Sequence, residues 1–480
     1  MTCYQPVFLD NREKCFSLDL ILGISIAHFH SSLIYISHRT KCHFQTIPAR
    51  KTDLELHIMA KSNVMENIVP DHIQLSKTIC QELTDMADEI IAETLHTYEA
   101  FVANGRQLPS DQWKHAKSKE KVRVFRSRRG KSQKIVHETK LSRPRLLSAE
   151  ELEENQQKAA ACGRLYAYDN PILGNNCSVA SHTASVGSFT LFEDSVLAKV
   201  KPLHIPLIIA TGEIVGSLED VAYGGLANTE HAWIVRNSYC HNDFFDDRKV
   251  LAVLQSPSKE DPFRSVTIKW GTADFNALTT RRDVVYIESQ GMAFDSDGER
   301  IFYYVIHSIE LDDCPPLDLS HNIIRIQLSI AYVARKFNDS TVEMFGRGFV
   351  DPRGDMVESY GIMLLANNIS ASASVVECAT MKKLSYLMMQ RRRSDASGIN
   401  DTRDCDVCHK SLSKLGSLLK SPNGCPVCRR VTCNKCSVQK KLTIEVTTEV
   451  TQKSFTFCLP CVLEAKEMSA WKVAIDDLRT

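Results

Sequence analysis

Four Cys-x2-Cys pairs crowd into residues 405–461: Cys405 and Cys408, Cys425 and Cys428, Cys433 and Cys436, Cys458 and Cys461. The full pattern is C-x2-C-x16-C-x2-C-x4-C-x2-C-x21-C-x2-C. Each pair lets one tight turn aim two thiolates at a single tetrahedral ion, so eight thiolates hold two ions. The four-residue step between the second and third pairs is too short to enclose a core. The pairs are therefore expected to alternate in a cross-brace. Cys405, Cys408, Cys433 and Cys436 take the first zinc, and Cys425, Cys428, Cys458 and Cys461 take the second. With every position filled by thiolate, no open coordination site remains for catalysis. Both Zn2+ ions are structural, and a module this small is expected to depend on them for folding.

The rest of the chain is of another kind. The other nine of its 17 cysteines are scattered singly from Cys3 to Cys378, as buried small hydrophobes are. An odd total disfavours a full disulfide framework. Lys+Arg and Asp+Glu are each 58 in 480 residues, which argues against a bulk nucleic-acid binder, and no nucleic-acid partner is expected. There is no Gly-rich phosphate loop, no H-E-x-x-H and no G-x-S-x-G, so no enzyme is expected. Residues 1–62 read as a poorly ordered or accessory leader, with Met59 as an alternative start. Its apolar run Cys15–Ser37 carries Asp19, which would cost about 2.5–3.5 kcal/mol in a bilayer, so it is not read as a membrane span.

Between leader and finger the hydrophobic period changes twice. Ile73, Ile79, Leu83, Met86, Ile90, Ile91 and Leu95 recur at helical steps, predicting an N-terminal helix over 72–104 that Gly105 and Pro109 stop. A basic segment, Lys114–Arg145, follows and reads as a solvated strand face and loop. From Gly187 to Arg353 the chain reads as long strands with tight turns at "DSDG" and "NDS". One helix is inserted early, where Ser217 and Asp220 form an S-x-x-D cap. A long closing helix is predicted from Pro352 to Arg393. The fold class is thus α+β: an antiparallel sheet around a long C-terminal helix, plus a small two-zinc cross-brace finger.

The stretches "GSLEDVAYG", "IKWGTA", "RRDVVYIESQGMAFDSDGERIFYYVIHSIEL", "HNIIRIQLSIAYVARK" and "GRGFVDPRGDMVES" resemble a START (StAR-related lipid-transfer) domain followed by a FYVE-type finger. The resemblance implies a helix-grip domain over 66–394 whose curved sheet and C-terminal helix enclose an apolar cavity for one lipid. A linker over 395–404, a finger over 405–465 and a C-terminal tail over 466–480 complete the expected organisation. The linker is expected to separate two independent cores. Arg325 and Glu288 are the charged residues of note on predicted strands. Arg325 either faces solvent or holds a lipid head group, with solvent the safer expectation because a buried unpaired guanidinium is costly.

The finger's spacing, with "CRRVTCNKCS", is similar to a FYVE finger, a module that binds phosphatidylinositol 3-phosphate on endosomes. The family's WxxD and basic R-R/K-H-H-C-R motifs are missing, and "TFC" stands where the family has RVC. Arg429 and Arg430 are the nearby head-group candidates. The expectation is therefore a cytoplasmic, non-enzymatic lipid-binding protein, peripheral on endosomal membranes, that meets anionic surfaces weakly and protein partners through the finger. The alternative is a RING-like E3 ubiquitin ligase or an interaction scaffold.

Overall fold

The computed structural model describes residues 68–119, 121–128, 195–240, 245–275, 279–317, 321–354, 356–357, 359–364, 366, 374–394, 404–412, 424–446 and 450–479. The leader, the basic segment beyond Arg128, the first residues of the strand-rich stretch expected from Gly187 and linker residues 395–403 lie outside them. Among the described residues no helix is long and apolar enough to cross a membrane.

The strands are β1 (Trp113–Lys119), β2 (Val122–Ser127), β3 (Ile208–Val215), β4 (Asp247–Gln255), β5 (Ser265–Ala273), β6 (Arg281–Phe294), β7 (Arg300–Ser308), β8 (Ile323–Arg325), β9 (Gln327–Lys336) and β10 (Thr341–Asp351). They form one sheet in the order β1-β2-β3-β10-β9-β7-β6-β5-β4, with antiparallel neighbours throughout; β8 alone pairs in parallel, against β6. Helices cover both faces, which explains why β5 and β10 are buried along their whole length.

On one face lies α1 (Lys77–Ala103), capped by Ser76, whose side chain accepts from the Ile79 amide. Its residues Ala87, Ile90, Ile91, Leu95, Tyr98 and Phe101 share a core with Val285, Ile287, Tyr303 and Phe345 of the sheet. The intervening strand residues Val284, Tyr286, Glu288, Tyr304 and Ile306 point to the other face, as the two-residue period requires.

That second face is covered by α3 (Leu218–Gly225), α4 (Glu230–Cys240) and α5 (Val375–Ser394); α2 (Val196–Val200) is a single turn beside α1. The predicted cap of α3 is present: Ser217 Oγ accepts from the Asp220 amide at 3.1 Å and donates to Asp220 Oδ2 at 2.8 Å. Two adjacent glycines let α3 lie between sheet and α5. A Cβ on Gly224 would sit 1.9 Å from the Val375 carbonyl oxygen, and one on Gly225 would meet Gln290 at 3.1 Å and Phe302 at 3.7 Å. A large antiparallel sheet gripped by its C-terminal helix is a helix-grip architecture.

The closing helix does not begin at Pro352. Arg353 and Gly354 both have positive φ, 51° and 60°, which no helix continues through. Arg282 donates to the carbonyls of Pro352 and Arg353 and so fixes that loop. Residues 359–364 are helical, and α5 follows from Val375.

Two further expectations are corrected. Residues 466–480 are not a tail: α6 (Leu459–Glu467) runs into this stretch and α7 (Ala470–Asp477) lies wholly within it. Nor are there two independent cores, because Ser62–Thr480 is one compact unit. Met381, Leu384, Leu387 and Met388 of α5 pack directly with Val427, Leu442, Phe457 and Val462 of the finger.

Candidate metal centre and the helix-covered face

The finger is built from two copies of one turn. In "CDVCHK" the His409 amide donates to Cys405 O at 2.8 Å and the Cys405 amide to Lys410 O at 2.9 Å. In "CPVCRR" the Arg429 amide donates to Cys425 O at 2.8 Å and the Cys425 amide to Arg430 O at 2.9 Å. His409 and Arg429 occupy the same left-handed position, φ 58° and 65°. Asp406 ties the turns together: its amide donates to Val431 O at 3.0 Å and its carboxylate accepts from the Val431 amide at 2.7 Å. The third pair leads into a hairpin, β11 (Ser437–Val446) and β12 (Val450–Cys458), which carries the chain to the fourth pair at the start of α6.

The sulfurs gather in two sets. Those of Cys405, Cys408, Cys433 and Cys436 lie within 4.8 Å of one another, as do those of Cys425, Cys428, Cys458 and Cys461. First joins third and second joins fourth, a cross-brace. A tetrahedral ion with metal–sulfur bonds of about 2.3 Å sets its ligands about 3.8 Å apart. Cys408 Sγ stands 3.8 Å from Cys433 Sγ, and Cys428 Sγ stands 3.6 Å from Cys458 Sγ. The crowding of four sulfurs in each set has an electrostatic consequence. Four such sulfurs cannot ionise together unless a cation lies between them. Both clusters can hold a metal ion.

The three head-group candidates are not gathered into one site. Arg325, expected at the surface, is buried and paired. It donates to both carboxylate oxygens of Asp283, at 2.6 Å from Nη2, and to the carbonyls of Cys314 and Pro315. Burial is tolerated because the Asp283 carboxylate balances the charge and the two carbonyl oxygens accept from Nη1 and Nη2 of the guanidinium. Arg429 and Arg430 are exposed on the second turn of the finger.

Glu288 is buried at the centre of the helix-covered face. Arg236 of α4 reaches it with two nitrogens at 3.0 and 3.2 Å, Lys269 of β5 at 2.6 Å, and the Tyr304 hydroxyl at 2.9 Å. Burial favours its neutral acid, but the Arg236 and Lys269 cations hold it down at about 2. Burial pulls Lys269 down to about 8 against the pull of Glu288. Trp233 lies edge-on to Tyr286 at 6.1 Å and presents its ring to the Lys269 ammonium at 4.9 Å. Around this group runs an apolar wall that includes Ile208, Val284, Ile306, Leu328, Ile330 and Met344. Sequence reasoning singled out Glu288 and missed its partners. The signal for Lys269 was present: a lysine within "VTIKW", where the two-residue period turns it away from Ile268 and Trp270.

Two lysines on α5 were also missed. Lys382 donates to the Tyr223 and Leu226 carbonyls at the end of α3, at 2.9 and 3.0 Å. Lys383, buried, donates to Asp220 Oδ1 at 2.6 Å and to the Met468 carbonyl at 2.9 Å, joining α3, α5 and the segment between α6 and α7.

No protein-family model matches the chain, and no curated protein matches it. Among solved structures, the chain is similar to human STARD10 at 9% identity and TM-score 0.33, covering 60% of this chain and 83% of that one. It is similar to human StAR-related lipid transfer protein 5 at 12% identity and TM-score 0.31, covering 60% and 95%. The human StarD13 (DLC2) lipid transfer and protein localization domain matches at 10% identity and TM-score 0.29, covering 59% and 94%. The fold assignment rests on the strand order and helix packing of the chain itself.

Proposed function

We propose that this chain is a non-enzymatic lipid-binding protein in which a FYVE-like finger with two structural zinc ions is fused to a START-like domain. The observation that carries the reading is the helix-covered face of the sheet. It joins a broad aliphatic and aromatic wall to a charged group of Glu288, Arg236 and Lys269. An amphipathic guest, with a long apolar body and a polar end, matches both features. A soluble polar metabolite would leave the wall unmatched.

The lipid would lie between the sheet and its cover of α3, α4 and the helices after Pro352. The finger would add weak contact with anionic surfaces through Arg429 and Arg430, so the protein would work at a membrane surface, with the endosomal membrane favoured by the finger's likeness. The test is lipid extraction and mass spectrometry of the full chain purified without detergent, followed by a vesicle-to-vesicle transfer assay. A bound lipid species that Ile330→Trp reduces, by filling the wall, supports the reading. A lipid-free protein with no transfer refutes it.

A further inference from the structure

The cover over the sheet is fastened from outside by the finger. Three ligands of the second sulfur set, Cys425, Cys458 and Cys461, belong to one apolar cluster with Met381, Leu384, Leu387 and Met388 of α5, and Cys428 packs against it. The ligands of the first set lie outside that cluster. Cys458 is the residue that caps α6, and Cys461 stands in the first turn of that helix.

From this anchor α6 and α7 run across the cover. Ala470, Trp471, Val473 and Ala474 of α7 pack with Val221, Ala222 and Tyr223 of α3 and with Met292 and Phe302 of the sheet. Trp471 meets Phe263 edge-on at 5.3 Å. Polar ties line the same path. Tyr223 donates to Asp477 at 2.7 Å, Tyr386 to Asp476 at 2.8 Å and Arg391 to Glu464 at 3.1 Å, while Lys383 holds Asp220 and the Met468 carbonyl together. The helices α6 and α7 are thus a strap, held at its start by two metal ligands and laid over α3 and α5.

We infer that the second metal site fastens this strap: metal held by Cys425, Cys428, Cys458 and Cys461 keeps α3 and α5 closed on the sheet, and its loss frees those two helices while the sheet stays folded. Cooperative units of different stability within one chain allow such partial opening. No ligand of the first site is a member of the shared cluster, and that site reaches the cover through neighbours of the ligands, Val407 against the cluster and Lys440 of β11 to Glu377 of α5. Because α3 and α5 cover the face where a lipid would lie, metal at one site sets how readily a guest exchanges. This rests on the two-metal, lipid-binding reading above and adds a division of labour between the two sites.

Cys408 and Cys428 make a matched pair, each half-buried and each the second ligand of its turn. The experiment is hydrogen–deuterium exchange of the full chain by mass spectrometry, comparing wild type, Cys408→Ser and Cys428→Ser, with zinc measured on the same samples. Cys428→Ser is expected to speed amide exchange at least about tenfold in Leu218–Gly225 and Val375–Ser394, with β5, β6 and β7 unchanged. Cys408→Ser is expected to leave both helices as in wild type. The inference is overturned if Cys428→Ser leaves α3 and α5 protected, if Cys408→Ser loosens them equally, or if the sheet amides are lost with the helices. Should Cys428→Ser not accumulate, Lys383→Met takes its place. It keeps both metal sites and cuts one tie of the strap, and it is compared with the same variant stripped of zinc by a chelator. The helices α3 and α5 should lose protection as zinc leaves while β5, β6 and β7 keep theirs, and protection that does not change on zinc removal overturns the inference. A wild-type chain without zinc fails the metal reading itself, a result distinct from all of these.

Discussion

Replacing Glu288 by Gln removes the one anion that Arg236 and Lys269 share. In the wild type the carboxylate accepts from Arg236 at 3.0 and 3.2 Å and from Lys269 at 2.6 Å, and it also accepts from Tyr304 at 2.9 Å. After the substitution burial and the Arg236 charge drive Lys269 towards its neutral form, and Arg236 is left as a buried cation with no counter-charge. Removing one partner of a buried pair costs about 3–5 kcal/mol. Arg236 is stranded here, so a loss within that range is expected. Lys269→Met is the informative control. It leaves Arg236 and Glu288 as a neutral pair; Glu288 loses one donor but keeps Arg236 and Tyr304, and the Ala227 carbonyl loses a bond 2.7 Å long in the wild type. An unsatisfied buried acceptor costs about 1–3 kcal/mol. The assay is urea unfolding of the full chain, followed by circular dichroism. The expected order is wild type above Lys269→Met, and Lys269→Met above Glu288→Gln. A Glu288→Gln protein within about 1 kcal/mol of wild type, or more stable than Lys269→Met, would refute the reasoning about this buried charge.

Other outcomes follow from particular contacts. Gly224→Ala drives a methyl into the Val375 carbonyl and should cost about 1–3 kcal/mol, measured as a lowered unfolding midpoint. Gly225→Ala meets the end of the Gln290 side chain at 3.1 Å and should cost clearly less; equal losses would contradict the packing of α3 between sheet and α5. Asp88 gives a pH-dependent prediction: burial raises its carboxyl to about 6, against the pull of Arg264. An acid whose folded value is raised weakens the fold when ionised, fully so at pH 7, and the burden disappears as pH falls towards 4. Asp88→Asn should therefore be about 1–3 kcal/mol more stable than wild type at pH 7 and equal to it near pH 4; a difference independent of pH contradicts this. For membranes, the full chain should bind anionic liposomes weakly and with little preference for phosphatidylinositol 3-phosphate over phosphatidylserine at matched charge, since each basic residue near the surface contributes about 1 kcal/mol and the basic motif is missing. A salt-resistant preference for the 3-phosphate in co-sedimentation would assign that role to Arg429 or Arg430.

Much of this molecule was legible in its residues because the constraints were local. The period of Ile90, Leu95 and their neighbours gave α1, and the S-x-x-D signature gave the cap of α3. Alternation gave the strands, and the four Cys pairs gave the two sulfur sets. What could not be read was long-range partnership. Arg325 looked exposed because its partner Asp283 lies 42 residues away. The start of the closing helix was misplaced because Pro352 suits a first turn, whereas the positive φ of Arg353 and Gly354 is imposed by the contact with Arg282. The polar stretch of residues 395–404 suggested separate domains. Nothing in its composition revealed that α5 and the finger share Met381, Leu384, Phe457 and Val462 in one core.

Native mass spectrometry of the full chain, purified without detergent or added metal, tests the central claim most directly. The account predicts a mass that exceeds the polypeptide by two zinc ions, together with a population carrying one lipid that leaves on collisional activation. A chain that carries two zinc ions but never a lipid would contradict the lipid-binding function, and a chain without zinc would contradict the metal centre on which the closed fold is argued to depend.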